Sequence, residues 1–234
     1  MNFDDRCVMV TGAAGNLGRA VARAFAARGA ALVLVDSRAA NLQRAFGAEN
    51  DKRAFAPVDL LDPASVEAAV SAAIARFGRI DALCNLAGGF RMGTAAHETT
   101  DGDWDDMFEI NVRTLLRATR AVVPRMIEAG GGRIVNVGAF AAQKGAALMG
   151  AYVAAKSAVI RITETMSAEL RDRGINVNCV LPTIIDTPEN RVAMPDADPT
   201  RWVAPDDLAN AIVFLASNEA RAVHGVALPV TGLG

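Results

Sequence analysis

Seven short apolar runs punctuate the chain: Cys7–Thr11, Ala31–Asp36, Ala54–Val58, Ile80–Leu86, Arg133–Val137, Ile175–Leu181 and Val226–Val230. Most are continuously apolar rather than alternating, the pattern of strands buried on both faces of a parallel sheet. Stretches of helical period lie between them. Val66, Ala69, Val70, Ala73, Ile74 and Phe77 fall at i, i+3, i+4, i+7, i+8 and i+11, which is one face of a helix. Asp62 is placed to cap that helix, Pro63 fits its first position and Gly78 follows its end. Repeated strand–helix units predict a doubly wound α/β fold, a single domain over residues 1–234 with seven parallel strands and right-handed crossovers. Thr183–Ala204 is rich in Pro and Asp and has no clear period. It is expected to be either a plain surface connection or a lid over a substrate.

Composition narrows the possible partners. A 234-residue domain buries roughly 70–75% of the surface its unfolded chain exposes and needs no staple. The 24 basic and 26 acidic residues leave a net charge of −2, so no nucleic-acid partner is expected. Cys7, Cys84 and Cys179 sit in apolar runs without zinc-ligand spacing, which predicts buried, reduced thiols and a cytoplasmic setting. Met-Asn-Phe-Asp-Asp at the start lacks a basic signal region, and no apolar run approaches the ~18 residues of a membrane span, so no membrane partner is expected. His97 and His224 have no acidic partner at ligand spacing, and no metal is expected.

The first run leads into Thr11-Gly12-Ala13-Ala14-Gly15-Asn16-Leu17-Gly18 and then an Ala-rich helix. A glycine turn between strand and helix lets backbone amides approach a pyrophosphate at the positive end of the helix dipole. Gly12, Gly15, Asn16, Leu17 and Gly18 are therefore candidate cofactor contacts. Asp36 closes the second run, 18 residues beyond Gly18. A carboxylate there accepts hydrogen bonds from ribose hydroxyls and repels a 2′-phosphate, so NAD(H) is favoured over NADP(H); the competing reading is a capping residue. Asp59, beside Leu60, offers a contact to the adenine edge or a cap.

Tyr152 and Lys156 stand four apart on a helical stretch, so an ammonium can lie beside a phenol. A nearby cation stabilises phenolate and makes the phenol a better proton donor near neutrality. Joined to the glycine turn, this pair gives a specific pattern. The sequence resembles the short-chain dehydrogenase/reductase family over nearly its whole length: Thr11–Gly18, Asp36, Asp59-Leu60, Asn85-Leu86-Ala87-Gly88, Asn111, Arg133–Asn136, Tyr152/Lys156 and Pro182–Thr187. The resemblance implies a Rossmann fold with Tyr152 as general acid/base. Lys156 would tune it and hold the nicotinamide ribose, Asn111 would support a water relay, and Thr187 would contact the carboxamide. Asn85, Ala87, Gly88 and Pro182 would frame the cofactor. It further implies a small-molecule substrate and a homodimer or homotetramer built from the helices around Asp103–Ile127 and Tyr152–Leu170.

The departures from the family pattern carry information. Its middle glycine is Asn16 here, and Asn tolerates left-handed backbone angles. The serine that the family places 13 residues before the tyrosine is Ala139, which has no hydroxyl to donate; losing such a donor costs roughly 10²–10³ in rate. The dihydropteridine reductase branch also lacks that serine, and its electron-poor acceptor ring takes a hydride without forming an alkoxide. Ala87-Gly88-Gly89-Phe90, Gly138–Ala147 and the segment from Leu181 through Asp186-Thr187-Pro188 to Trp202 resemble that branch. The expected substrate is then a quinonoid dihydropterin or a similar planar acceptor, with Phe90 and Trp202 either stacking on it or packing in the core or the lid. Two alternatives stay open. One is a carbonyl or ketoacyl-type reductase in which water or Asn136 replaces the missing donor; the other is an NAD-binding sensor or scaffold without turnover.

Overall fold

A computed structural model describes residues 1–233. Seven strands form one parallel sheet: β1 (Cys7–Thr11), β2 (Ala31–Asp36), β3 (Arg53–Pro57), β4 (Ala82–Asn85), β5 (Gly132–Val137), β6 (Ile175–Pro182) and β7 (Ala227–Val230). Their order is β3-β2-β1-β4-β5-β6-β7, with Val10 opposite Leu34 on one side and Cys84 on the other. The order reverses between β1 and β4, the switch point at which such sheets hold ligands beyond their carboxyl ends. The expected seven-stranded doubly wound fold is therefore the one observed.

Among the described residues, eight α-helices accompany the sheet: α1 (Asn16–Ala26), α2 (Ala39–Phe46), α3 (Pro63–Phe77), α4 (Asp101–Phe108), α5 (Thr114–Glu128), α6 (Gly150–Leu170), α7 (Pro188–Ala193) and α8 (Pro205–Leu215). Alternate strand residues feed two cores, which is why the strands read as continuously apolar. Val8, Val10, Leu32 and Leu34 pack with Val21 and Phe25 of α1 and with Leu208 and Ile212 of α8. Met9, Val33, Leu83 and Val177 pack against Val66, Val70, Val122 and Met126 on the opposite face. The three cysteines are free and buried, as expected.

Helix α3 has the expected punctuation. The Asp62 carboxylate accepts from the amides of Ala64 and Ser65 at 3.1 and 3.2 Å, and Gly78 turns left-handed at φ 79°. β4 is shorter than the apolar run Ile80–Leu86. The Asp81 carboxylate accepts the Cys7 amide at 2.9 Å, so its side chain is spent on the neighbouring strand before β4 begins. The unperiodic stretch Thr183–Ala204 contains structure: α7, a 3₁₀ turn at Pro199–Arg201 and a bridge between Ile185 and Val203. Helix α7 rests on the Thr187 cap and on Pro188 at its first position, and one and a half turns are too few to leave a period. Among the described residues no helix is long and apolar enough to cross a membrane.

Candidate active site

The glycine turn is built by close backbone approach. A Cβ on Gly18 would lie 2.3 Å from the Gly12 carbonyl oxygen, so α1 can start against the turn only with a bare backbone at that position. Gly12 has φ +63° and passes so near Ala87 that a Cβ would meet its backbone at 3.0 Å. Thr11 fastens the same two loops, which sequence reading did not single out. Its hydroxyl accepts the amides of Leu86 and Ala87 at 3.0 and 3.2 Å. These contacts span about 75 positions, so only the fold reveals them. Gly15 precedes α1 with no side-chain cap, leaving the first-turn amides of Asn16, Leu17 and Gly18 at a bare helix N-terminus.

Asp36 ends β2 beside this turn. Its carboxylate accepts the Ala14 amide at 3.4 Å, the Arg38 amide at 3.3 Å and the Asn41 amide group at 3.1 Å. Helix α2 follows Arg38 without a side-chain cap, so the capping reading is not the one observed; the Asp36 carboxylate closes a local turn and borders the nucleotide turn. Asp59 lies two residues past β3, where it accepts the Leu61 amide at 2.8 Å, and Leu60 packs at the edge of the core.

On the other side of the switch point, Asn111 sits in a π-helical turn, Glu109–Arg113, that joins α4 to α5. A 3.6-residue pattern gives no sign of such a turn, and single π turns recur at functional sites. The buried Asn111 amide treats Gly89 as a strand partner. Its Oδ1 accepts the Gly89 amide and its Nδ2 donates to the Gly89 carbonyl, both at 3.1 Å. A Cβ on Gly88 would lie 2.8 Å from Asn111 Oδ1 and 3.2 Å from Lys156 Nζ, so these two polar groups converge on the bare face of Gly88.

Lys156 is buried, and its ammonium donates to the Val137 carbonyl at 2.8 Å. Burial pushes its pKa down to about 8, partly opposed by Cys179, and pushes the Tyr152 phenol up to about 12. The expectation that the ammonium pulls the phenol down is not met in this state. Desolvation dominates both groups and favours the neutral phenol, which is the proton-donating form. Tyr152 packs against the small cluster that contains Ala139 and Leu181 and meets the Phe90 ring edge-on at 4.8 Å. Phe90 is 58% exposed, which overturns core filling for this ring. Trp202 is half-buried and makes no ring contact with Phe90 or Tyr152.

Asn136, considered as a substitute donor, is fully buried. Its Nδ2 donates to Thr163 at 2.9 Å and its Oδ1 accepts from Asn85 at 2.9 Å, so both ends are already engaged. Pro182 closes β6, and the Thr187 hydroxyl accepts the Asn190 amide at 3.2 Å as the cap of α7. Arg19 donates to Asn16 at 2.6 Å, and Arg23 pairs with Asp206 at 3.3 Å.

A family model described as short chain dehydrogenase matches residues 6–198. The chain belongs to that family. Among short-chain dehydrogenases, the D-threitol dehydrogenase of Mycolicibacterium smegmatis is 38% identical over 98% of this chain and 93% of its own length. The 3-oxoacyl-acyl-carrier-protein reductase FabG of Escherichia coli K12 is 33% identical over 99% of this chain and 98% of its own. The crystal structure of carveol dehydrogenase from Mycobacterium avium in complex with NAD superposes with a TM-score of 0.89 at 28% identity, covering 98% and 97% of the two chains. An oxidoreductase that uses a nicotinamide nucleotide and acts on a small molecule is what this membership supports.

Proposed function

We propose that the chain is an NAD(H)-dependent reductase of a small planar acceptor, with a quinonoid dihydropterin as the type substrate. Convergence of Asn111 and Lys156 on the bare face of Gly88, beside Tyr152, carries the assignment of the reacting end. The glycine cradle, crowded enough to reject a Cβ at Gly12 and Gly18, suits a dinucleotide backbone, and the Asp36 carboxylate disfavours a 2′-phosphate. The nicotinamide supplies the hydride. Tyr152 donates the proton from its neutral phenol, and Lys156, fixed on the Val137 carbonyl, would hold the ribose. Asn111 holds the Gly89 backbone and lines the relay path, while Thr187 orients the carboxamide from the start of α7. Two subunits or four, joined through the α4–α5 and α6 faces, make the working assembly, and the segment 183–204 covers the substrate.

The acceptor class rests on position 139. Ala139 presents a methyl where the family places a serine, and buried Asn136 is committed to Thr163 and Asn85, so neither position supplies a second donor beside the Tyr152 phenol for a developing alkoxide. An electron-poor ring that takes a hydride directly needs no such donor. The second reading is carbonyl reduction with water as donor, favoured by the polyol and ketoacyl names of the relatives. Ala139→Ser separates the two: a gain of well over tenfold on ketones favours the carbonyl reading, and turnover of the planar acceptor with none on ketones in either protein favours the first. Brisk ketone reduction by the wild type that the serine does not improve supports the second.

A further inference from the structure

The residue that replaces the family's middle glycine makes a contact that a glycine could not. Asn16 Nδ2 donates to Glu189 Oε2 at 2.7 Å, across 173 positions of sequence, and Asn16 Oδ1 accepts from Arg19 at 2.6 Å. Asn16 is the first residue of α1, so the Glu189 carboxylate is held at the positive end of that helix. Glu189 belongs to the first turn of α7, which Thr187 caps and the Arg191–Asp186 pair braces at 2.6 and 2.7 Å. A carboxylate carried by the 183–204 segment is thus tied to the first residue of the helix that follows the nucleotide turn.

We propose that Glu189, clasped by Asn16, acts as a resident anion at the nucleotide turn, so that the diphosphate of the cofactor must compete with it and cofactor binding is coupled to the seating of α7. This rests on NAD(H) binding at the glycine turn. Its own backbone amide, the Asn16 side chain, the Thr187 side chain and the charge of Arg19 hold its carboxyl below the usual range, so the charge is present throughout the neutral region. The neighbours facing it are Arg19 and Asn16 from α1 and Thr187 from its own turn. With one cation opposite, removing the carboxylate leaves the turn more attractive to a diphosphate.

The test compares NADH affinity of the wild type and Glu189→Gln by fluorescence titration at low and high salt, and follows hydrogen exchange of residues 188–193 in Asn16→Gly without nucleotide. A unit charge several ångströms from a diphosphate in water-like surroundings changes affinity by about two- to fivefold. Glu189→Gln is expected to bind NADH tighter by about that factor at low salt, with the gain fading as salt screens it. Asn16→Gly is expected to exchange the α7 amides several-fold faster. Equal or weaker NADH binding by Glu189→Gln at every salt concentration, or unchanged α7 exchange in Asn16→Gly, overturns the coupling while leaving the cofactor assignment intact. A wild type that does not bind NADH overturns both.

Discussion

Gly88→Ala isolates the polar convergence at the reacting end. The added methyl would lie 2.8 Å from Asn111 Oδ1 and 3.2 Å from Lys156 Nζ. Both groups are fastened, one to the Gly89 amide and the other to the Val137 carbonyl, so relief requires breaking one of those bonds. The first is worth about 1 kcal/mol and the second, carrying a charge, about 1.5–3 kcal/mol. Stability should therefore fall by about 1–3 kcal/mol, or about 3–10 °C in Tm for a domain of this length. The surrounding cores are untouched, so the variant folds. Displacing a reacting group by about 1 Å costs on the order of 10²-fold in kcat, and that loss should exceed anything the Tm change explains. Gly145→Ala, where the added Cβ meets nothing within 4 Å, is the control and should leave both readings unchanged. Thermal melts and NADH-coupled turnover measure the two effects. If Gly88→Ala keeps wild-type Tm and kcat, the convergence has no role and the reacting end lies elsewhere.

Lys156→Met should raise stability at pH 7 while abolishing turnover. The amine titrates at about 8 when folded against an ordinary 10.5, so its contribution to stability is present above pH 10.5 and lost as pH falls through 8. At pH 7 the buried ammonium costs about 3 kcal/mol by this shift. Stranding the Val137 carbonyl returns about 1–2 of that, for a net gain of about 1–2 kcal/mol that shrinks toward pH 10; a variant less stable than wild type at pH 7 contradicts the reading. Asp62→Ala removes both cap bonds of α3 and should cost about 1 kcal/mol with turnover unchanged, which denaturant melts would show. Asp36→Ser should bring NADPH affinity to within about tenfold of NADH from a wider wild-type gap, measured by titration of both nucleotides; an unchanged gap would move the selectivity elsewhere.

The strands were legible because a sheet buried on both faces leaves unbroken apolar runs, and α3 because its cap, proline and glycine act locally. The placement of Asp36 at the end of β2 and of Tyr152 and Lys156 one turn apart on α6 was legible because strand ends and helix spacing are local properties. The π turn at Glu109–Arg113 was not, since one inserted residue barely disturbs a helical pattern. Thr11 tying β1 to the β4 loop and Asn16 holding Glu189 join residues 75 and 173 positions apart, and no local propensity encodes such contacts. The same distance hid the engagement of Asn136, which looked free in sequence and is locked between Asn85 and Thr163.

The most direct test of the central claim is NADH oxidation by the purified protein with freshly generated quinonoid dihydropterin, with Tyr152→Phe measured beside it. The account predicts turnover well above the chemical background that falls at least about 10²-fold in the variant, because the phenol that supplies the proton is gone. No turnover by a wild type that still binds NADH, or equal turnover in both proteins, would contradict it.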